Sequence, residues 1–436
     1  MKNNKAKLFV LGLLIQISAI GQDSLSLQQA ITTGVENNFQ IRFAKKTLKI
    51  VELDNQLGNA GFLPSVDANG SFGRTVENTE LSFADGSGVN QNDALSTNLN
   101  ASIGANWVIF DGTKMFVTKD KLEELESRAA LNVSLNINNR IAEIINAYTA
   151  IIAEKSALEL YEQQLEVSET RLELSKTKLK LGASSDLENL QAEVDANADR
   201  TAVINQTVRI KQAKTRLNRI MARDVSTEFG INDSIRINKS LQKDSLMNLL
   251  KDNPNLSIFE KDIAIAVLEK KESFADRLPS IALNGSYNYN EGTSEAGFVR
   301  SNQADGWNYG ATVAIPIFNG NEKNRKEQQN KIRIEQSKLS YEQEIAFSQE
   351  ELIVNYERYE ANLKQLEYEV KNVELANRNL KFALESYQLG GISSIELRDV
   401  QFSTLEAQER LVALKYTAKL AETELLRLTN QLIQGR

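Results

Sequence analysis

Two halves of the 436-residue chain are copies of one unit, and this constrains the fold more than any other feature of the sequence. Leu63-Pro64-Ser65 returns as Leu278-Pro279-Ser280, an offset of 215, and Phe110-Asp111-Gly112 returns as Phe318-Asn319-Gly320, an offset of 208. Seven extra residues therefore lie between these markers in the first copy. Beyond them the register holds: Tyr148 matches Tyr356, Leu181-Gly182 matches Leu389-Gly390, Ser185 matches Ser393, Glu188 matches Glu396 and Leu217 matches Leu425. Any fold must accommodate a unit of about 208 residues twice.

Within each unit the hydrophobic period switches. After Pro64, the residues Val66, Ala68, Gly70 and Phe72 alternate with polar or small ones, and a second run alternates from Leu99 through Ile103 to Ile109. A polar loop is expected between them, over about 74–97. The second copy repeats the design with Ile281, Leu283, Tyr287 and Tyr289, then Trp307, Tyr309, Val313 and Ile317. The predicted strands are ~65–73, ~98–109, ~280–290 and ~307–317. Runs of this length with a charge-free face suit tilted strands crossing a bilayer, and the aromatic residues suit its interfaces. A soluble antiparallel sheet with one wet face shows the same alternation. Four strands do not close a barrel, and lipid does not tolerate an open edge, so a membrane-spanning version of this sheet requires oligomerisation.

Proline is the second constraint. The only four are Pro64, Pro254, Pro279 and Pro316, so residues 65–253 and 317–436 hold nothing that sterically forbids long helices. Asp111 and Asn319 stand at N-cap positions for helices that end at Gly182 and Gly390. The first spans about 113–181, roughly 100 Å at the helical rise. It carries two heptad series, Leu158, Leu165, Leu172, Leu179 and Leu160, Val167, Leu174, Leu181. The second copy matches them with Leu366, Val373, Leu380, Tyr387 and Tyr368, Leu375, Phe382, Leu389. Two apolar seams on nearly opposite sides suit a stave with a neighbour on each flank, and the seven-residue period supercoils. Burial within a large bundle is the plainer alternative. Ser184 and Ser185, or Ser393 and Ser394, are placed to cap the returning helices.

The expected organisation is a signal peptide over 1–21, a first repeat over 22–222 with an inner helix at 25–61 and a helical hairpin at ~113–222, a polar linker over 223–242, and a second repeat over 243–436 with helices at ~243–276 and a hairpin at ~320–432. The signal peptide rests on Lys2, Lys5 and Lys7, the apolar run Leu8–Ile20 and the small residues Ala19-Ile20-Gly21. That run is shorter than a spanning helix. Removing it takes the net charge from −7 to −10, a balance that argues against nucleic acid as a partner.

Cys and His are both absent, which excludes thiol nucleophiles, His-dependent triads and the usual zinc, haem and iron–sulfur ligand sets. No catalytic, cofactor or metal site is expected. A carboxylate hydrolase is the weakest functional reading, since the acids are spread along amphipathic helices without a glycine-rich loop or a clustered pair.

These features together resemble the TolC-type outer membrane efflux protein family. The most telling pieces are Leu25-Ser26-Leu27 with Asn37-Asn38, Asn253-Pro254, the two Leu-Pro-Ser strand starts, the exit Ala314-Ile315-Pro316-Ile317-Phe318-Asn319-Gly320, and the hairpin tip Leu181-Gly182-Ala183-Ser184-Ser185-Asp186-Leu187 with its counterpart around Gly390. The resemblance covers essentially the whole mature chain. It implies a mainly α fold with a transmembrane β part: a homotrimer in which four strands per chain build a 12-stranded outer membrane β-barrel, continued by a periplasmic coiled-coil α-barrel. It further implies a passive exit duct, serving a tripartite efflux pump or a type I secretion system, with outer membrane lipid, a periplasmic adaptor and an inner membrane RND or ABC transporter as partners. An exported coiled-coil scaffold or adhesin is the competing reading.

Family members place acids just after the glycine of the second hairpin, where Glu396 and Asp399 stand here. As rings of like charge in a trimer they would form a periplasmic gate. Glu188 and Tyr387 match positions that hold the closed state, whereas Ile392 stands where some members carry a basic residue. The tips, Gly182, Ser184, Ser185, Gly390, Gly391, Ser393 and Ser394, are the implied adaptor-docking surface.

Overall fold

A computed structural model of the protein describes residues 24–434, so the expected signal peptide lies outside the described residues. The chain divides into two compact units that cut across the sequence repeats, each collecting equivalent segments of both copies. One comprises Met1–Asn38, Arg140–Ser240 and Tyr356–Glu424; the other comprises Phe39–Asn139, Leu241–Asn355 and Leu425–Arg436. The sheet belongs to the second unit and the hairpin tips to the first.

In the sheet unit, β1 (Ser65–Ser82), β2 (Gly88–Phe110), β3 (Ser280–Ser294) and β4 (Ser301–Ala314) pair antiparallel in the order β1-β2-β3-β4. The register brings the apolar positions of all four strands onto one face. Ala68 lies opposite Ile103, Ile103 opposite Tyr287, and Tyr287 opposite Trp307; one step along, Val66, Ala105, Gly285 and Tyr309 form the next row. The other face is mostly amide, hydroxyl and glycine: Asn69, Ser102, Asn288 and Gly306 make one row, Ser65, Asn106, Asn284 and Gly310 another, and Asp67 adds a carboxylate between them. Charge appears on the apolar face only towards its far end, where Glu291 faces Leu99 and Asp305 faces Tyr289.

The segment 74–97, expected as a loop, is strand on both sides of a tight turn. The strands outrun their alternating pattern: beyond the apolar band polar residues such as Arg74, Glu80, Asn90 and Gln91 predominate, with Val76 opposite Leu95 and Leu81 opposite Val89, and the ladder continues to Ser82 and Gly88. A bulge follows Glu77, with Asp93 at φ +54 and its N–H on Asn78 Oδ1 at 2.9 Å. The turn closes on Asp85 Oδ1, which accepts from Ser87 N at 3.0 Å.

Helices flank the strands. α1 (Leu27–Asn37) starts in a capping box in which Ser26 Oγ accepts from Gln29 N at 3.2 Å and Gln29 Oε1 accepts from Ser26 N at 2.9 Å. The single helix expected over 25–61 is instead α1 and α2 (Phe39–Asp54), broken at Asn38, whose side chain donates to the Ile220 carbonyl at 2.7 Å rather than solvating its own helix. α3 (Lys114–Lys180) and α4 (Asp186–Ile220) form the first hairpin. The linker 223–242 is irregular, and Phe229 and Ile231 are buried in the hairpin unit. After it, helix forms as α5 (Lys243–Leu249), a 3-10 turn and α6 (Pro254–Ala275); Asn253 caps α6 at Asn255 N, so the expected 243–276 helix is interrupted where Pro254 cannot continue it. α7 (Glu322–Gln388), α8 (Ser394–Leu428) and the short α9 (Gln431–Gln434) complete the chain. Among the described residues no helix is long and apolar enough to cross a membrane.

Asp111 Oδ1 accepts from Met115 N at 3.1 Å at the start of α3, whereas Asn319 takes the equivalent place before α7 through its backbone carbonyl, which accepts from Glu322 N at 3.3 Å. The side-chain cap expected of Asn319 is replaced by a backbone turn.

Candidate functional site

The tips of both hairpins are built alike. α3 closes with Ala183 N bonded to the Lys178 carbonyl at 2.8 Å and Gly182 N to the Leu179 carbonyl at 3.0 Å; α7 repeats this with Gly391 N on Ser386 and Gly390 N on Tyr387. These are Schellman closures, and Gly182 at φ +72 and Gly390 at φ +80 supply the left-handed residue they need. The returning helices are capped by Ser185 and Ser393, whose hydroxyls accept from Glu188 N at 3.2 Å and Glu396 N at 3.3 Å.

The other two tip serines turn inward. Ser184 Oγ donates to Glu188 Oε2 at 2.7 Å, and Ser394, expected on the docking surface, lies buried in the first turn of α8 with its carbonyl facing Arg171 Nη1 at 3.3 Å. Gly182, Ser185, Gly390, Gly391 and Ser393 are exposed.

The four gate candidates separate into two pairs. Tyr387 is buried at the end of α7 and its hydroxyl reaches Glu188 Oε1 at 3.2 Å, joining the two hairpins. Burial pushes the Tyr387 hydroxyl up, and the Glu188 carboxylate adds to the effect, so it remains a neutral donor. Lys178 lies 3.9 Å from the centre of the Tyr387 ring and donates to the Tyr387 carbonyl at 2.7 Å. Ile392 packs against the buried cluster of Ala383, Tyr387 and Leu397. Ile392 thus forms an apolar plug beside Tyr387, and Lys178 of the first hairpin places a cation against its ring.

Glu396 is exposed on the first turn of α8 and Asp399 on the second. The Glu396 carboxylate accepts from Ser393 N at 2.7 Å and Ser393 Oγ at 2.9 Å, completing a capping box, and the Ser393 N–H holds its carboxyl below the usual range. It is a structural acid as well as a surface charge; Asp399 has no such duty in the cap.

Sequence reasoning missed a buried ionic cluster further in from the tips. Arg398 Nη1 and Nη2 grip Asp199 Oδ2 and Oδ1 at 2.7 and 3.0 Å, and Ser168 Oγ donates to the same carboxylate at 2.5 Å. Arg171, fully buried, pairs with Asp195, which also lies 3.8 Å from Arg398 Nε. The cluster therefore ties α8 to both α3 and α4. Its only trace in the sequence is the placement of Arg398 directly after the buried Leu397.

The seam of Leu366 and Tyr387 on α7 is buried within the chain, but Tyr368, Leu375, Phe382 and Leu389 are exposed. The heptads that predicted two packing flanks find one of them covered by the chain itself.

With this geometry in place, comparison with known proteins identifies its kind. The outer membrane efflux protein profile matches residues 31–223 and 246–431. No curated protein sequence matches the chain. Among solved structures, the CmeC outer membrane channel of Campylobacter jejuni aligns over 94% of this chain and 88% of its own, at 13% identity and a TM-score of 0.73. The open-state MtrE outer membrane channel of Neisseria gonorrhoeae aligns over 92% and 88%, at 17% identity and 0.72. The outer membrane protein VceC of Vibrio cholerae aligns over 92% and 95%, at 16% identity and 0.72. The two-copy architecture of strands and long helical hairpins is theirs, and the chain belongs to the outer membrane efflux protein family.

Proposed function

We propose that three copies of this chain assemble into a passive exit duct of the outer membrane, for an efflux pump or a type I secretion system. The observation that carries the reading is the sheet: one continuous apolar face, one amide-and-hydroxyl face, and β1 and β4 as its two edges. An apolar face of this kind belongs in lipid, and in lipid both edges must be paired, which further copies of the same sheet accomplish by β1-to-β4 pairing. The uncovered seam of α7 supports the same assembly, because a stave needs a neighbour on each flank.

In this reading the amide face lines the barrel and the hairpins build the periplasmic tunnel. Glu188 and Tyr387 hold the hairpins together when the duct is closed, and Glu396 and Asp399 ring the constriction. The exposed tip residues Gly182, Ser185, Gly390, Gly391 and Ser393, with Ser184 bracing Glu188, meet a periplasmic adaptor, and an inner membrane transporter of the RND or ABC class supplies the energy. The chain itself contributes only shape and charge. Heat-modifiable migration of the detergent-extracted protein tests the reading: a trimer band that collapses to monomer on boiling supports it, and a monomer soluble without detergent overturns it.

A further inference from the structure

The two elbows, where the last strand of each copy turns into its long helix, have diverged. Ile109 and Phe110 at the first elbow are 44% and 37% exposed, while their counterparts Ile317 and Phe318 are 94% and 80% exposed. The first elbow is closed by its own chain. Trp107 Nε1 donates to the Phe62 carbonyl at 2.9 Å, Phe62 meets Phe116 edge-on with ring centres 5.1 Å apart, and a Cβ on Gly112 would lie 2.5 Å from Leu278 Cβ. A Cβ on Gly320 would meet nothing within 4 Å.

Charge has diverged in step. Asp111, Met115, Val117 and Thr118 of the first elbow become Asn319, Lys323, Arg325 and Lys326 at the second, while Lys114 becomes Glu322. Over 111–118 against 319–326, one cation and one acid are replaced by three cations and one acid. Beside Phe318 lies a cavity of about 200 Å³ bordered by Arg277, Lys323, Asn319 and Asn321. Arg277 is anchored by Glu327 at 2.8 Å, with its Nε buried and lacking an acceptor. Arg325 and Lys326 are exposed next to it; Lys326 Nζ stands 3.7 Å from Asp276 Oδ2. An uncovered apolar pair directly above a cationic, amide-lined hollow is complementary to a lipid: acyl chains for the first, an anionic headgroup for the second.

We propose that the second elbow of each chain binds an anionic phospholipid of the inner leaflet, with Ile317 and Phe318 among its acyl chains and Lys323, Arg325 and Lys326 around its phosphate. The first elbow, plugged by its own aromatic side chains and carrying Asp111, does not. The placement in the inner leaflet rests on the duct reading, in which the helices lie on the periplasmic side.

Native mass spectrometry of the purified oligomer, titrated with phosphatidylglycerol or phosphatidylethanolamine, tests this. Phosphatidylglycerol adducts should survive at lower lipid concentration, and Arg325→Gln with Lys326→Gln should weaken them about tenfold or more, whereas Lys119→Gln with Lys121→Gln near the first elbow should not. Equal retention of the two lipids, or adducts untouched by the double variant, overturns the proposal. Because the chain has no Cys, Phe318→Cys introduces a single thiol, which a lipid-soluble maleimide should label in vesicles. Protection from that reagent would mean that a second copy covers the residue, and would also overturn it. Heat-modifiable migration of the same samples reports on the duct reading separately, so an intact trimer without lipid preference defeats this inference alone.

Discussion

Arg398 on α8 holds both carboxylate oxygens of Asp199 on α4, at 2.7 and 3.0 Å, with both residues buried between the two hairpins. A buried pair of this kind contributes little over an apolar pair of equal volume, but removing one partner strands the other charge away from water. Asp199→Leu or Arg398→Met alone should therefore cost about 3–5 kcal/mol. Asp199→Leu combined with Arg398→Met should recover much of that loss. Urea midpoints of the helical signal for the singles and the double, read as a cycle, check it.

Tyr387 and Glu188 join the end of α7 to the start of α4. Tyr387→Phe removes the hydroxyl and leaves the ring beneath Lys178, so the helices should stay folded while the closed state loses about 1 kcal/mol. In single-channel records the open fraction should rise, and Glu188→Gln, which retains an acceptor, should have the smaller effect.

Glu396 and Asp399 stand on successive turns of α8 and carry different loads. Glu396→Ala removes half of a capping box and should lower stability slightly as well as removing a surface charge. Asp399→Ala should leave stability unchanged and reduce cation selectivity in planar bilayers. If neither variant alters selectivity, the ring of acids does not face the pore.

The sequence made the repeated elements legible because each answers to a period: alternation for the apolar parts of β1 to β4, heptads for α3 and α7, glycine at both helix ends. It fell silent where no period is required. Arg74 to Ser82 pair as strand with only Val76 and Leu81 apolar among them, a spacing that follows no period of two across the bulge. Arg171 and Arg398 read as ordinary helix-surface charges, since burial on a helix flank depends on which neighbour covers it. Asn319 matches Asp111 by position, yet its turn closes through the backbone carbonyl instead of the side chain. Family resemblance singles out Glu188 and Tyr387 as gate candidates; their bond to each other, the cation from Lys178 and the cap duty of Glu396 appear only in the structure.

Alkaline pH should loosen the hairpins at a definable point. Tyr161 on α3 donates to Glu409 on α8 at 2.5 Å, and that bond, with burial, pushes its hydroxyl up to about 12 from 10.0. The unfolded chain releases this proton first, so its contribution is intact below pH 10.0 and is lost as pH rises towards about 12. Tyr161→Phe should flatten the fall in stability across that window, and phenolate absorbance should show one late-titrating tyrosine fewer.

The central claim is that copies of this chain close a water-filled pore through lipid. Planar bilayer recording of the purified, reconstituted protein tests it most directly. The account predicts stepwise, ion-conducting insertions whose cation preference falls with Asp399→Ala. A protein that associates with the bilayer, or remains in solution, without conductance would contradict it.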